Sequence, residues 1–108
     1  MIHEIQPAEL KRQLDAGESL VLVDVRNPEE HDYCRLPGSQ LIPLAELPAR
    51  VAEVQPPEGA RVVVYCHHGV RSLRGAAILE QAGHEGAVSL AGGIDAWSLR
   101  IDPSVPRY

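Results

Sequence analysis

Arg61-Val62-Val63-Val64-Tyr65-Cys66-His67-His68-Gly69-Val70-Arg71-Ser72-Leu73-Arg74 is the stretch from which the rest of the chain can be read. The β-branched run Val62–Val64 predicts a buried strand and Ser72 to Gln81 predicts a helix, so Cys66 falls where a strand ends and a helix begins. A helix N-terminus presents unpaired N–H groups and the positive end of the macrodipole, and it stabilises an anion there, a thiolate included. The thiolate is the nucleophilic form of cysteine. The stretch holds Arg61, Arg71 and Arg74 and no acid, in a chain of formal net charge -5, which concentrates basic charge around one cysteine. Read alone, Cys66 also suits the end of a buried strand as a small apolar residue. The helix terminus and the flanking cations favour a nucleophile.

Outward from this stretch, strands and helices alternate. Met1 to Ile5 alternates apolar with polar residues, as a short edge strand does. Pro7 suits the first position of a helix with Leu10 and Leu14 on one face and Gly17 as its stop. Leu20 to Val25 is an almost continuous apolar run, the pattern of a strand covered on both faces. Asp24 and Arg26 put polar groups at its carboxyl end, where ligands bind in doubly covered sheets. Asn27 to Arg35 predicts one or two helical turns opened by Pro28, and Pro37-Gly38 a turn before the short strand Gln40-Leu41-Ile42. A helix from Pro48 through Val54, with Leu47, Val51 and Val54 on its apolar face, ends at Pro56-Pro57-Glu58-Gly59. The helix after Cys66 is expected to bury Leu73, Ala76, Ala77 and Leu79 to Ala82, with Gly83 as its C-cap. Ala87 to Leu90 reads as the last strand, Gly92-Gly93 leads into a helix containing Trp97, and Asp102 to Tyr108, with two prolines, reads as an extended tail. This order predicts a parallel α/β sandwich with helices on both faces of the sheet.

With 108 residues, 44% of them hydrophobic and 23% charged, the chain is expected to form one soluble domain spanning 1–108. Phe is absent, so the core must be built from Val, Leu, Ile and Ala. The net charge of -5 argues against nucleic acid or an anionic membrane as partner. Met1-Ile-His-Glu-Ile5 lacks the features of a signal peptide and no run reaches membrane-spanning length, so the expectation is cytoplasmic. In a reducing compartment Cys34 and Cys66 are expected to be free, one reactive and one a bystander.

The loop Cys66-His67-His68-Gly69-Val70-Arg71, a Cys-x-x-Gly-x-Arg after a valine-rich strand, resembles the active-site loop of the rhodanese (sulfurtransferase) family. Further signatures of that family follow in register: Asp24-Val25-Arg26, Pro37-Gly38 with Ile42-Pro43-Leu44, and Leu90-Ala91-Gly92-Gly93-Ile94-Asp95-Ala96-Trp97. The resemblance covers nearly the whole chain and implies a three-layer sandwich with a five-stranded parallel sheet. It also implies a Cys66 nucleophile that takes the outer sulfur of a donor such as thiosulfate or a persulfide. The resulting Cys66 persulfide would pass that sulfur to a thiol or to cyanide, with no cofactor. The end of the chain, Ile101 to Tyr108, is similar to the ends of rhodanese domains fused to adenylating enzymes, which implies a ubiquitin-like sulfur-carrier protein as a further acceptor. Two other readings stand beside this one: a phosphatase or arsenate reductase of related fold, and a non-catalytic rhodanese-like interaction module. The six residues from Cys66 to Arg71 match the sulfurtransferase loop, whereas the resembling phosphatases have one residue more.

The other candidate site residues follow from the same loop. Gly69 allows successive N–H groups to converge on one point, or is simply a turn glycine. His67, His68 and Val70 would contribute their backbone N–H groups to that cradle, and the two imidazoles are expected to tune charge and substrate choice rather than transfer protons. Cys66, His67 and His68 are an unpromising metal site because adjacent ligands do not easily converge on one ion. Arg71 would either bind an anionic donor through its planar fork or pair with a carboxylate and hold the loop. Asp24 and Arg26 are expected to brace neighbouring loops, with Glu30 as a partner for Arg26. Within the resemblance the chain departs at His31, where Tyr or Phe usually follows the glutamate, and at Cys34-Arg35, where Gly-His usually stands.

Overall fold

The computed structural model describes residues 2–108, so Met1 lies outside the described residues. The elements run β1 (Glu4–Ile5), α1 (Pro7–Asp15), β2 (Leu20–Asp24), α2 (Pro28–Tyr33), β3 (Gln40–Leu41), α3 (Leu47–Arg50), β4 (Arg61–Tyr65), α4 (Arg71–Gln81), β5 (Val88–Leu90) and α5 (Gly93–Arg100). A single 3-10 turn, Val51–Glu53, follows α3, so the helix expected from Pro48 to Val54 changes pitch midway. The five strands form one sheet in the order β1-β5-β4-β2-β3, with every neighbouring pair parallel.

The alternation of side chains along β4 divides the interior in two. Val63 and Tyr65 point to one side, where Leu10 of α1, Ile94 and Trp97 of α5, and Cys34 and Leu36 are buried. Val62, Val64 and Cys66 point to the other, with Leu47 of α3 and Ala76 and Leu79 of α4. Burying a Val or Leu side chain stabilises by roughly 1.5–3 kcal/mol, so the central valine run anchors both layers at once.

Two helix faces differ from their predicted registers. In α1, Leu10 and Gln13 are buried and Leu14 is exposed. In α4, Leu73 is exposed, and the buried positions are Ser72, Gly75, Ala76 and Leu79. The physical reason is closeness: a Cβ on Gly75 would lie 3.1 Å from both Val25 Cγ1 and Val64 Cγ1, so only small residues let α4 settle this near the sheet. That approach brings the first turn of α4 to the carboxyl end of β4. No helix among the described residues is long and apolar enough to cross a membrane.

Candidate active site

Cys66 follows the last residue of β4 and is 1% exposed. Its Sγ accepts hydrogen bonds from the backbone N–H groups of Gly69 (3.1 Å) and Ser72 (3.3 Å), and its thiol faces Ser72 Oγ at 3.4 Å. Ser72 Oγ lies 2.7 Å from Ser89 Oγ, and both serines are fully buried. The N-cap of α4 is Val70, which has no side-chain acceptor to offer. The Cys66 sulfur therefore takes the place of an N-cap oxygen, satisfying one of the free N–H groups of the first turn. The N–H groups on this sulfur are those of Gly69 and Ser72; the Val70 side chain is turned to solvent.

Glycine is needed at two positions to form this loop. Gly69 has φ +95°, and a Cβ there would meet Gly92 N at 3.0 Å and the Leu90 carbonyl oxygen at 3.3 Å. Gly93 has φ +62°, and a Cβ would lie 2.4 Å from the His67 carbonyl oxygen. The close approach lets the first turn of α5 hold the loop from behind: Ile94 N–H donates to the Cys66 carbonyl at 2.9 Å and Asp95 N–H to the His67 carbonyl at 3.1 Å.

The charges are arranged differently from the linear sequence. Arg61 stands at the far end of β4 from Cys66 and is exposed, so it contributes nothing to the loop. Arg71 is met by a carboxylate from α2: its Nη1 and Nη2 donate to Glu30 Oε1 and Oε2 at 2.9 and 3.1 Å. The Arg71 hydrogen bonds hold the Glu30 carboxyl down at about 2. Glu30 is thus the partner of Arg71 and not of Arg26. Arg26, fully buried, is bound instead by Asp24, with Nε to Oδ1 at 2.9 Å and Nη2 to Oδ2 at 2.7 Å, and Nη2 also donates to the Cys34 carbonyl at 2.6 Å. His31 Nδ1 lies 2.8 Å from Asp24 Oδ2, which gives the residue at the departing position a place in the same network. Cys34 is buried, and both cysteines are free.

The C-terminal segment reaches this network. Tyr108 Oη accepts from Arg26 Nη1 at 2.8 Å and donates to Glu30 Oε2 at 2.6 Å, so one hydroxyl links the two ion pairs. Its ring stacks on His67 at 3.8 Å between centroids, and His67 stacks in turn on His68 at 3.8 Å. Burial first, and the neighbouring His68 second, lower the pKa of His67. Among the described residues, His67, His68 and Asp95 are those that can hold a metal ion, with ligand atoms all within 4.8 Å of one another. Asp95 supplies the convergence that adjacency denies the two histidines, although its Oδ1 already accepts from Arg107 Nε at 2.9 Å.

Ser72, Ser89, Tyr108 and the pairing of Glu30 with Arg71 had no sequence signal of their own. The sequence puts Ser72 in the α4 segment, but its contact with the sulfur depends on the loop geometry, and Glu30 and Arg71 lie 41 positions apart. The Gly92-Gly93 pair before a helix was the available signal for the close contact behind the loop.

The model of the rhodanese-like domain family matches residues 6–100, and the chain belongs to that family. It is 39% identical over 104 residues to a probable adenylyltransferase/sulfurtransferase, MoeZ, of Mycobacterium tuberculosis, covering 96% of this chain and 26% of that protein, so it spans about a quarter of this relative's length. A sulfurtransferase of Allochromatium vinosum is 36% identical over 105 residues, covering 97% of this chain and 96% of the relative. The fold superposes on the human single-domain sulfurtransferase TSTD1 with a TM-score of 0.80 at 26% identity, covering 93% of this chain and 98% of the other.

Proposed function

We propose that the chain is a sulfurtransferase that carries sulfane sulfur as a persulfide on Cys66. The observation that supports this most directly is the pair of N–H groups, from Gly69 and Ser72, aimed at a buried sulfur at the end of the central strand. Fixed donors of this kind stabilise negative charge on the sulfur, both before it attacks and when it is released again as the Cys66 thiolate. In the first half-reaction the Cys66 thiolate attacks the outer sulfur of the donor. An Sγ–S bond forms, the donor's S–S bond breaks, and the remainder leaves with the electron pair, as sulfite from thiosulfate or as a thiolate from an organic persulfide. In the second, a thiol or cyanide attacks the outer sulfur and the Cys66 thiolate leaves.

In this mechanism Arg71 holds the loop through Glu30, Asp24 and Arg26 brace the strand end beneath it, and His67, His68, Gly69 and Val70 line the approach to the sulfur. The match to one segment of a MoeZ-type adenylyltransferase/sulfurtransferase supports a sulfur-carrier protein among the acceptors.

Intact mass after incubation with a sulfane donor tests the proposal. The wild-type chain should gain one sulfur atom, lose it on addition of cyanide, and release thiocyanate. Cys66→Ser should gain nothing while remaining folded, and Cys34→Ser should load as the wild type does. Loading that survives Cys66→Ser but not Cys34→Ser would overturn the assignment.

A further inference from the structure

The question left open by the proposed persulfide chemistry is which class of donor this mouth receives. Thiosulfate is a dianion, and its recognition calls for a cation free to face it. Around Cys66 the cations are engaged. Arg71 is held at both terminal nitrogens by Glu30, Arg26 is buried against Asp24, and Arg107 is bound to Asp95. The His67 ring is covered on both faces, by His68 and by Tyr108, each at 3.8 Å between centroids. Arg74 has no carboxylate partner among the described residues; it lines a groove together with Arg71, Val25, Leu44 and Ile78, and Cys66 is not part of that lining.

Apolar side chains also stand at the rim of the same loop. Of the six exposed large hydrophobic residues among those described, four surround it: Val70 (75% exposed), Tyr33 (58%), Tyr108 (44%) and Leu73 (39%). Val70 and Leu73 sit on the loop and the first turn of α4, while Tyr33 and Tyr108 meet edge to face at 5.9 Å beside Glu30.

We infer that this site selects an organic persulfide with an apolar, uncharged body over thiosulfate, because Glu30 occupies the arginine an anion would need and the rim offers aromatic and aliphatic contacts. The inference rests on the persulfide reading of Cys66. In the favoured half-reaction the thiolate attacks the outer sulfur of R–S–SH, the new Sγ–S bond carries the S–H sulfur, and R–S leaves as a thiolate with the electron pair of the broken S–S bond.

The test is the rate of sulfur loading on the full chain, followed by intact mass, with thiosulfate and with benzyl persulfide as separate donors. Each rate is divided by that donor's rate with free cysteine, which removes intrinsic reactivity. The wild type should show the larger enhancement with benzyl persulfide. Glu30→Gln retains a side chain able to close the α2 capping box with Asn27, and it removes the charge that engages Arg71. Since hydrogen bonds to charged groups contribute about 1.5–3 kcal/mol, the ratio of thiosulfate loading to benzyl persulfide loading should rise at least about tenfold in this variant. Independently of any variant, wild-type thiosulfate loading should depend only weakly on ionic strength. An equal or larger enhancement with thiosulfate in the wild type, a steep salt dependence, or loss of thiosulfate loading in Arg74→Ala would overturn the donor preference. Failure of both donors to place sulfur on Cys66 would instead overturn the persulfide reading beneath it.

Discussion

Ser72 touches the Cys66 sulfur with two of its own atoms, the backbone nitrogen at 3.3 Å and Oγ at 3.4 Å, and passes the contact on to Ser89 at 2.7 Å. Ser72→Ala keeps the backbone donor and removes the hydroxyl. A single neutral hydrogen bond is worth about 0.5–1.5 kcal/mol, so sulfur loading should fall by roughly two- to tenfold. The orphaned Ser89 hydroxyl should also lower stability by about 1–3 kcal/mol. Ser72→Ala/Ser89→Ala removes that orphan and should recover stability without recovering rate; stopped-flow loading and chemical denaturation separate the two.

Gly93→Ala should be among the most damaging single-methyl changes in the chain. The added Cβ meets the carbonyls of both Cys66 and His67, at 2.5 and 2.4 Å, and the backbone there has φ +62°. Left-handed backbone costs a non-glycine residue roughly 1–2 kcal/mol, and displacing the loop adds to it. Denaturation should show a loss of at least about 2 kcal/mol, with loading slowed even where the protein remains folded.

The acid side of the stability profile should fall in two stages. His67 is held below its ordinary 6.5 by burial and by His68. The unfolded chain therefore takes up this proton first, so the neutral ring's contribution is present above 6.5 and is lost as the pH falls below it. Glu30, lowered from 4.5 to about 2 chiefly by Arg71, contributes above 4.5, and that contribution is lost as the pH falls from 4.5 towards 2. Melting temperatures across this range should show both declines. His67→Phe should remove the upper one and Arg71→Ala should weaken the lower.

Inserting one glycine between Val70 and Arg71 lengthens the six-residue span from Cys66 to Arg71. Ser72 N–H and the Arg71–Glu30 pair would both move away from the sulfur. A displacement of about 1 Å at a reacting centre can cost ~100-fold in rate, so loading should drop by that order. The unmodified protein should not hydrolyse an aryl phosphate; Cys66-dependent phosphatase turnover in a preparation that forms no persulfide would place it in a different chemical class.

The architecture was legible because its signals are local. Val62–Val64 and Leu20–Val23 are apolar without interruption, as strands covered on both sides must be, and the Cys66 motif fixes what joins the central one to its helix. Hydrophobicity predicts Leu73 at the α4 interface, whereas the helix uses Ser72, Gly75 and Ala76 to come close. The electrostatics were the least legible part. The acid-free segment has one of its three arginines, Arg71, paired in space when Glu30 arrives from α2, and Tyr108 joins Arg26 to Glu30 across 78 positions. Pairings of this kind depend on where the fold returns the chain.

Because the Cys66 sulfur caps α4, the cargo on that sulfur and the order of the helix's first turn are thermodynamically linked. Each chemical state of the atom, whether bare, carrying a second sulfur or alkylated, presents a different acceptor to the Ser72 amide. Hydrogen exchange at that amide should therefore change as sulfur is loaded and return as it is delivered. On the proposed persulfide chemistry, the start of the helix would serve as a gauge of cargo, readable by a technique that never observes sulfur itself.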